Sequence, residues 1–254
     1  MVPDTGIGRV RLRRAVPVMG TVVSFDVPGS ADGAVDEAVR WLHWVDRTFS
    51  TYRADSAVSR LDTGELMLAE CPPEVAFVLA SCEAVAAASD GYFSVRAAGA
   101  LDPSGYVKGW AIERAAQMLT DAGSASHCVN GGGDVQCAGE CPRTGGLWRI
   151  GISDPLRRGK LVSVVSGTDF AVATSGVAER GAHIIDPCTG LPPAGLLSVT
   201  ITGPSLALAD AYATAAFAMG DARAREWTEG LDGYAAFGIT DHGSTWRTSG
   251  FRGT

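Results

Sequence analysis

The chain has 254 residues, 46% of them hydrophobic and 19% charged, with a formal net charge of −7 at pH 7. That composition is ordinary for a globular protein and excludes disordered and fibrous classes, while the length allows one large domain or two small ones. An acidic chain holds a polyanion poorly by diffuse attraction, so nucleic acid is not an expected partner and any phosphate ligand needs a local device.

Arg11 to Val27 alternates enough to form one or two strands broken at Met19-Gly20-Thr21. The basic cluster Arg9 to Arg14 is not followed by an apolar run, because Pro17, Gly20, Thr21, Ser24 and Asp26 interrupt it. No signal segment is read there, and a cytoplasmic location is expected. Asp32 to Phe49 places Val35, Val39, Leu42 and Val45 at helical spacing, with Trp41 and Trp44 widening the stripe. Ser56 to Leu61 reads as a short turn or helical fragment. A second helix opens at Pro72-Pro73-Glu74, where a missing N–H is harmless, and stops near Asp90-Gly91. A third helix covers Val107 to Ala122 and is ended by Gly123.

Strand-like pieces follow at Ser126 to Asn130, Trp148 to Ile152, Leu161 to Val165, Phe170 to Thr174 and Leu196 to Thr202. Leu206 to Met219 is the last long helix, Ala-rich and bounded by Gly203-Pro204 and Gly220. The lack of a regular βαβ rhythm predicts an α+β fold, with mixed or antiparallel sheets packed against helices in a single domain spanning 1–254. No run approaches roughly 18 uninterrupted apolar residues, so no transmembrane segment is predicted. Six cysteines, at 71, 82, 128, 137, 141 and 188, show no repeated spacing and no CxxC pair. They are expected to be isolated thiols, with a Cys137–Cys141 loop disulfide or half of a metal site as the alternative.

Four segments are too polar or too glycine-rich for folding alone to explain. Asn130-Gly131-Gly132-Gly133-Asp134 follows a strand and could aim several backbone N–H groups at a phosphate or ribose; it could equally be a tight turn. Asp102-Pro103-Ser104-Gly105-Tyr106-Val107-Lys108 leads into a helix, which puts Lys108 and backbone donors at the positive end of a dipole. Plain helix capping explains Asp102 and Ser104 equally well. Thr174-Ser175-Gly176, Arg180 and His183-Ile184-Ile185-Asp186-Pro187 form the third segment, with His183 either a base poised near neutral pH or a structural histidine. In the last helix Asp210 and Thr214 are four apart and share a face. That pair suits Mg²⁺, which prefers hard oxygen ligands, or is a buried Asp bonded to the hydroxyl one turn on.

Taken together and in this order, Met19-Gly20-Thr21, Phe49-Ser50-Thr51-Tyr52, Val107-Lys108-Gly109, Asn130 to Asp134, Thr174-Ser175-Gly176, His183 to Pro187 and Asp210-Ala211-Tyr212-Ala213-Thr214 resemble the ApbE family of FAD:protein FMN transferases. The resemblance runs from residue 19 to about 220. It implies Mg²⁺-dependent cleavage of FAD and attachment of FMN to a Thr or Ser hydroxyl of a target protein, with AMP released. By position it implies Asp210 and Thr214 as metal ligands, with the Gly105 carbonyl a third, and His183 as base for the incoming hydroxyl. It implies an FAD site lined by Met19, Gly20, Thr21, Tyr52, Asp102, Lys108, Asn130, Gly131, Gly132, Gly133, Asp134, Thr174, Ser175, Gly176, Arg180, His183 and Ile185.

The chain departs from the family pattern in lacking a lipid-attachment cysteine near its start and in a compact stretch from Gly91 to Lys108. The compact stretch is expected to remove a wall of the FAD site. Two other readings use the same residues. With water as acceptor the protein is an FAD pyrophosphatase, and without turnover it is an FAD carrier.

Overall fold

A computed structural model of the chain describes residues 11–177 and 184–254. The first two strands, β1 (Arg11–Val18) and β2 (Thr21–Pro28), are joined by a two-residue turn in which Met19 and Gly20 have φ of 53° and 68°. Such positive φ values at both turn positions match the right-handed twist of the strands, and Gly20 adopts its value without strain. The turn pairs Val18 with Thr21, so Pro17 sits at the next, non-hydrogen-bonded position. Its missing N–H therefore faces the open edge of the sheet, where a proline is tolerated.

The chain then enters α1 (Asp32–Phe49), whose Val35, Val39, Leu42 and Val45 are buried as their spacing requires. A short helix, α2 (Ala57–Asp62), is capped by the Ser56 hydroxyl, which accepts from the Ser59 N–H at 3.0 Å. Next come α3 (Pro73–Ala88) and α4 (Ser104–Asp121). Helix α4 starts three residues earlier than its apolar pattern suggests, because the Asp102 carboxylate accepts from the Ser104 N–H at 2.9 Å and organises the entry.

Strands β3 (His127–Gly131), β4 (Asp134–Ala138), β5 (Trp148–Ser153), β6 (Leu161–Gly167), β7 (Phe170–Gly176) and β8 (Leu196–Gly203) follow. Helices α5 (Leu206–Met219) and α6 (Asp221–Glu229) precede the last strands, β9 (Ala235–Thr240) and β10 (Thr245–Arg247). Eight strands form one sheet in the order β1-β2-β3-β4-β7-β8-β9-β10, and β5 and β6 form a separate hairpin. Every pairing among the described strands is antiparallel, so the expected α+β class holds and the mixed-sheet option falls away.

One face of the large sheet is covered by helices. Val23, Phe25, Val129, Ala173, Val199 and Ile201 meet Val35, Leu42, Ile112, Leu119 and Leu206 in a single core. The opposite face carries smaller clusters, where Val172, Phe237 and Ile239 meet Ile152, Val165 and Phe251, and where Val135 and Cys137 meet Trp148. All six cysteines are free thiols, as their irregular spacing predicts. Among the described residues no helix is long and apolar enough to cross a membrane.

Candidate active site

Helices α4 and α5 cross in direct backbone contact. A Cβ on Gly109 would lie 2.5 Å from the Leu206 carbonyl oxygen and 2.8 Å from the Asp210 Cβ, so only glycine permits this approach. The closeness lets the Gly109 N–H donate to Asp210 Oδ2 at 2.9 Å. Glu113, one turn further along α4, fixes the register. Its carboxylate accepts from the Ser205 hydroxyl and from the Ala207 N–H, both at 2.7 Å, where α5 begins.

Lys108, beside Gly109, reaches the same place. Its Nζ lies 2.5 Å from Asp134 Oδ2 and 3.7 Å from Asp210 Oδ1. Both carboxylates are almost fully buried, whereas the lysine side chain is 24% exposed and lines the cleft. Asp134 opens β4 and is held on its other oxygen by the Thr174 N–H at 3.2 Å. Burial pushes the Asp210 carboxyl up to about 7; the Lys108 ammonium and the Gly109 N–H oppose that shift, and the neighbouring Asp134 charge adds to it. Two hydroxyls complete the cluster, Ser175 Oγ and Thr214 Oγ1, 3.3 Å apart. A Cβ on Gly105 would come 3.3 Å from the Thr214 side chain, so the first turn of α4 is packed against that hydroxyl.

These groups line a cleft of about 880 Å³. Such a volume is near the top of the range of roughly 300–1,000 Å³ for small-molecule sites, which suits a large ligand. Of the residues singled out from sequence, Asp102, Gly105, Lys108, Gly132, Gly133, Thr174, Ser175, Gly176, Ile185, Asp210 and Thr214 line it. Asp134 stands directly behind Lys108. Asn130 and Gly131 lie one step back on β3. The Asn130 side-chain oxygen accepts from the Gly133 N–H at 3.1 Å and shapes the turn, while Gly131 leaves room for Ile112. The glycine segment is thus both a tight turn and a wall of the cleft.

The structure does not bring Met19, Gly20, Thr21 or Tyr52 to the cleft wall. The first three belong to the β1–β2 turn, and Tyr52 is 95% exposed on the loop after α1. Arg180 and His183 lie outside the described residues. The expectation that the compact stretch after Gly91 removes a wall is corrected, because Tyr92, Phe93, Ser94 and Val95 themselves line the cleft. Sequence reasoning also missed Asp154 and Arg158, on the loop between β5 and β6 that forms the opposite rim. A run of Arg157, Arg158 and Lys160 in an acidic chain was the signal available there. Asp154 holds that loop by accepting from the Leu156 N–H at 2.9 Å and by pairing with Arg157 at 2.6 Å.

A family model described as the ApbE family matches residues 19–101 and 94–237. The chain belongs to the ApbE family. It is 30% identical over 240 residues to an FAD:protein FMN transferase of Rhodobacter capsulatus, covering 89% of this chain and 43% of that protein. It is 34% identical over 133 residues to an FAD:protein FMN transferase of Vibrio cholerae, covering 48% of this chain and 40% of that one. The aligned stretch therefore spans less than half the length of each of these relatives. Among solved structures, the flavin transferase ApbE from Vibrio cholerae superposes with a TM-score of 0.83 at 24% identity, covering 95% of this chain and 98% of that one. The ApbE protein from Thermotoga maritima gives 0.83 at 23% identity, covering 94% and 97%. The ApbE fold is thereby shared across nearly the whole chain, and the α4–α5 crossing with its Lys108, Asp134 and Asp210 cluster lies inside the stretch matched to the family.

Proposed function

We propose that the chain cleaves FAD at its pyrophosphate and transfers the FMN half to a Thr or Ser hydroxyl of a target protein, releasing AMP. The observation that carries this reading is the convergence of a partly exposed Lys108, two buried carboxylates and two hydroxyls on one large cleft in a protein of net negative charge. In a chain of net negative charge, a lysine held in place at a cleft by buried carboxylates is the kind of local device that a phosphate ligand needs.

Mg²⁺ is the metal this reading calls for. One carboxylate (Asp210), one hydroxyl (Thr214) and the Gly105 carbonyl are hard oxygen donors, too few for an all-protein cage. That set suits an ion that keeps its other positions for water and phosphate oxygens. The buried Asp210 carboxyl, raised by desolvation, is a group that gains from a cation beside it. When bound, the ion neutralises charge on the phosphoryl oxygens.

The chain's own residues do the rest. Lys108, braced by Asp134, presents its ammonium to a pyrophosphate oxygen, and the α4 N-terminus at Ser104 and Gly105 adds backbone dipole. The Gly132-Gly133 turn and β7 close one side, and the Arg158 loop closes the other, which limits water at the reacting phosphorus. The acceptor oxygen then forms its bond to the FMN phosphorus as the bond to the AMP oxygen breaks, and AMP departs with the electron pair. The hydroxyl proton goes to His183, in the role that its family motif implies.

The test is incubation of the purified protein with FAD and Mg²⁺, with and without an acceptor domain bearing an exposed Thr, following AMP and acceptor mass. One AMP per acceptor that gains the mass of FMN less water is the expected result. AMP with free FMN and no labelling of any Thr or Ser acceptor would replace transfer with hydrolysis. Bound but uncleaved FAD would reduce the protein to a carrier.

A further inference from the structure

Three of the six thiols gather on the sheet face turned away from the helices. Cys137 on β4 and Cys141 just beyond it are buried against Trp148 and Val135, and half-buried Cys128 on β3 packs onto the same cluster. The function proposed above uses none of them.

The register makes two of them partners. The β3–β4 hairpin is closed by a two-residue turn, Gly132-Gly133, with Gly131 paired to Asp134. Counting from that closing pair, hydrogen-bonded and non-hydrogen-bonded positions alternate, and Cys128 and Cys137 face each other at a non-hydrogen-bonded position. The outer strands agree. Asp26 pairs with Cys128 on one side and Phe170 with Cys137 on the other, where the backbone groups of both cysteines are engaged. Directly opposed residues put their side chains on one face, and at such a position the Cα atoms lie about 4.5 Å apart with the side chains closer. That spacing falls within the span of roughly 4.4–6.8 Å for cysteines joined by a disulfide. The Cys128 side chain, together with burial, pushes the Cys137 thiol opposite it up, in keeping with two thiols that face each other across the pair. Cys141 is tied differently. Its backbone N–H donates to Gly146 at 2.6 Å, holding it within its own turn.

We propose that Cys128 and Cys137 form a site of reversible oxidation, closed to a cross-strand disulfide by a low-molecular-weight disulfide such as oxidised glutathione. Cys128, the more exposed of the two, attacks one sulfur of the oxidant as its thiolate, forming a mixed disulfide and releasing one thiol. The Cys137 sulfur then attacks the Cys128 sulfur, and the second thiol leaves carrying the Cys137 proton. Two protein thiols lose two electrons and two protons, and two small thiols gain them. The Cβ separation of about 4.5–5.5 Å at opposed strand positions is at the long end of what a disulfide accepts, so the strands must draw together slightly. A bond made under that constraint is readily reduced again. It would clamp the hairpin whose far end, Gly132 to Asp134, forms part of the cleft.

The test uses the full-length protein, equilibrated with oxidised or reduced glutathione, alkylated, digested without reduction and mapped by mass spectrometry. The expected product is a peptide pair joined through Cys128 and Cys137, reversed by dithiothreitol, with Cys71, Cys82 and Cys188 still alkylated. Closing a loop of this length is also expected to raise Tm by about 5 °C, a gain absent in Cys128→Ala and kept in Cys141→Ala. Six titratable thiols after oxidation, or a disulfide joining Cys137 to Cys141, would overturn the assignment. The mapping needs no variant, so misfolding of a mutant leaves the answer intact.

Discussion

Gly109→Ala probes the helix crossing on which the candidate site depends. The added methyl would sit 2.5 Å from the Leu206 carbonyl oxygen and 2.8 Å from the Asp210 Cβ, and the first of these is backbone that no rotamer change can move. The two helices must separate by several tenths of an ångström or more. Overpacking of this kind costs about 1–3 kcal/mol. For a chain of this size that corresponds to a fall in Tm of about 2–12 °C. The same displacement lengthens the Gly109 N–H contact to Asp210 and moves Lys108 relative to that carboxylate. A misplacement of about 1 Å at a reacting group can cost on the order of 10²-fold in rate. The assay pairs differential scanning fluorimetry with AMP release from FAD in the presence of Mg²⁺. Gly33→Ala on α1 is the control, since nothing lies within 4 Å of its added methyl and it is not part of the cleft. If Gly109→Ala keeps both its Tm and its rate, the crossing does not position Asp210 and the reasoning fails.

Other consequences follow from the same cluster. Lys108→Met leaves the buried Asp134 and Asp210 carboxylates without their cation, and removing one partner of a buried pair typically costs about 3–5 kcal/mol. Partial exposure of the lysine should place the loss, read by urea unfolding, at or below the lower figure; adding Asp134→Asn should restore part of the stability and none of the activity. Because folding raises the Asp210 carboxyl from 3.8 to about 7, its contribution to stability is fully present below about pH 4 and is lost as the pH rises through 7. Without divalent cation, the stability difference between wild type and Asp210→Asn should therefore shift against wild type between pH 5 and 8; a difference flat across that range would remove the assigned shift. A cation binding the carboxylate must displace its proton, so Mg²⁺ affinity measured by calorimetry should rise over the same interval.

Much of the fold was legible wherever side-chain periodicity matched burial. Helix α1 starts and stops where the Val35, Val39, Leu42 and Val45 stripe places it, and α5 keeps its bounds because Gly203-Pro204 and Gly220 punctuate an Ala-rich run. Strand β4 was missed because Asp134-Val-Gln-Cys-Ala begins inside a glycine run and carries a buried carboxylate where a strand pattern would show an apolar residue. Strand β9 was missed for the opposite reason: Ala235 to Thr240 is buried at every position and shows no alternation. Helix α6 is short and polar, with only Ala224 and Thr228 buried.

The candidate site divides along similar lines. Asp210 and Thr214 were visible because a polar group on an apolar helix needs a reason to be there, and Lys108 because it follows a helix start, at the positive end of a dipole. The Lys108–Asp134 pairing was not, since it joins an α4 side chain to the end of a hairpin and depends on how Gly109 lets two helices touch. Nor was the Arg158 rim, which reaches the cleft only because the β5–β6 hairpin folds over the outer face of the large sheet. Met19-Gly20-Thr21 owes its pattern to turn geometry, as the positive φ values at Met19 and Gly20 show.

The measurement that bears most directly on the central claim is the Mg²⁺ dependence of FMN transfer in wild type and in Asp210→Asn, a near-isosteric change that removes the charge and keeps the shape. Wild type should label an acceptor threonine with FMN and release one AMP per label, saturably in Mg²⁺. Asp210→Asn should fold, bind FAD and label at least 10²-fold more slowly at any Mg²⁺ concentration. Equal labelling by the two proteins at the same Mg²⁺ concentration would contradict the account.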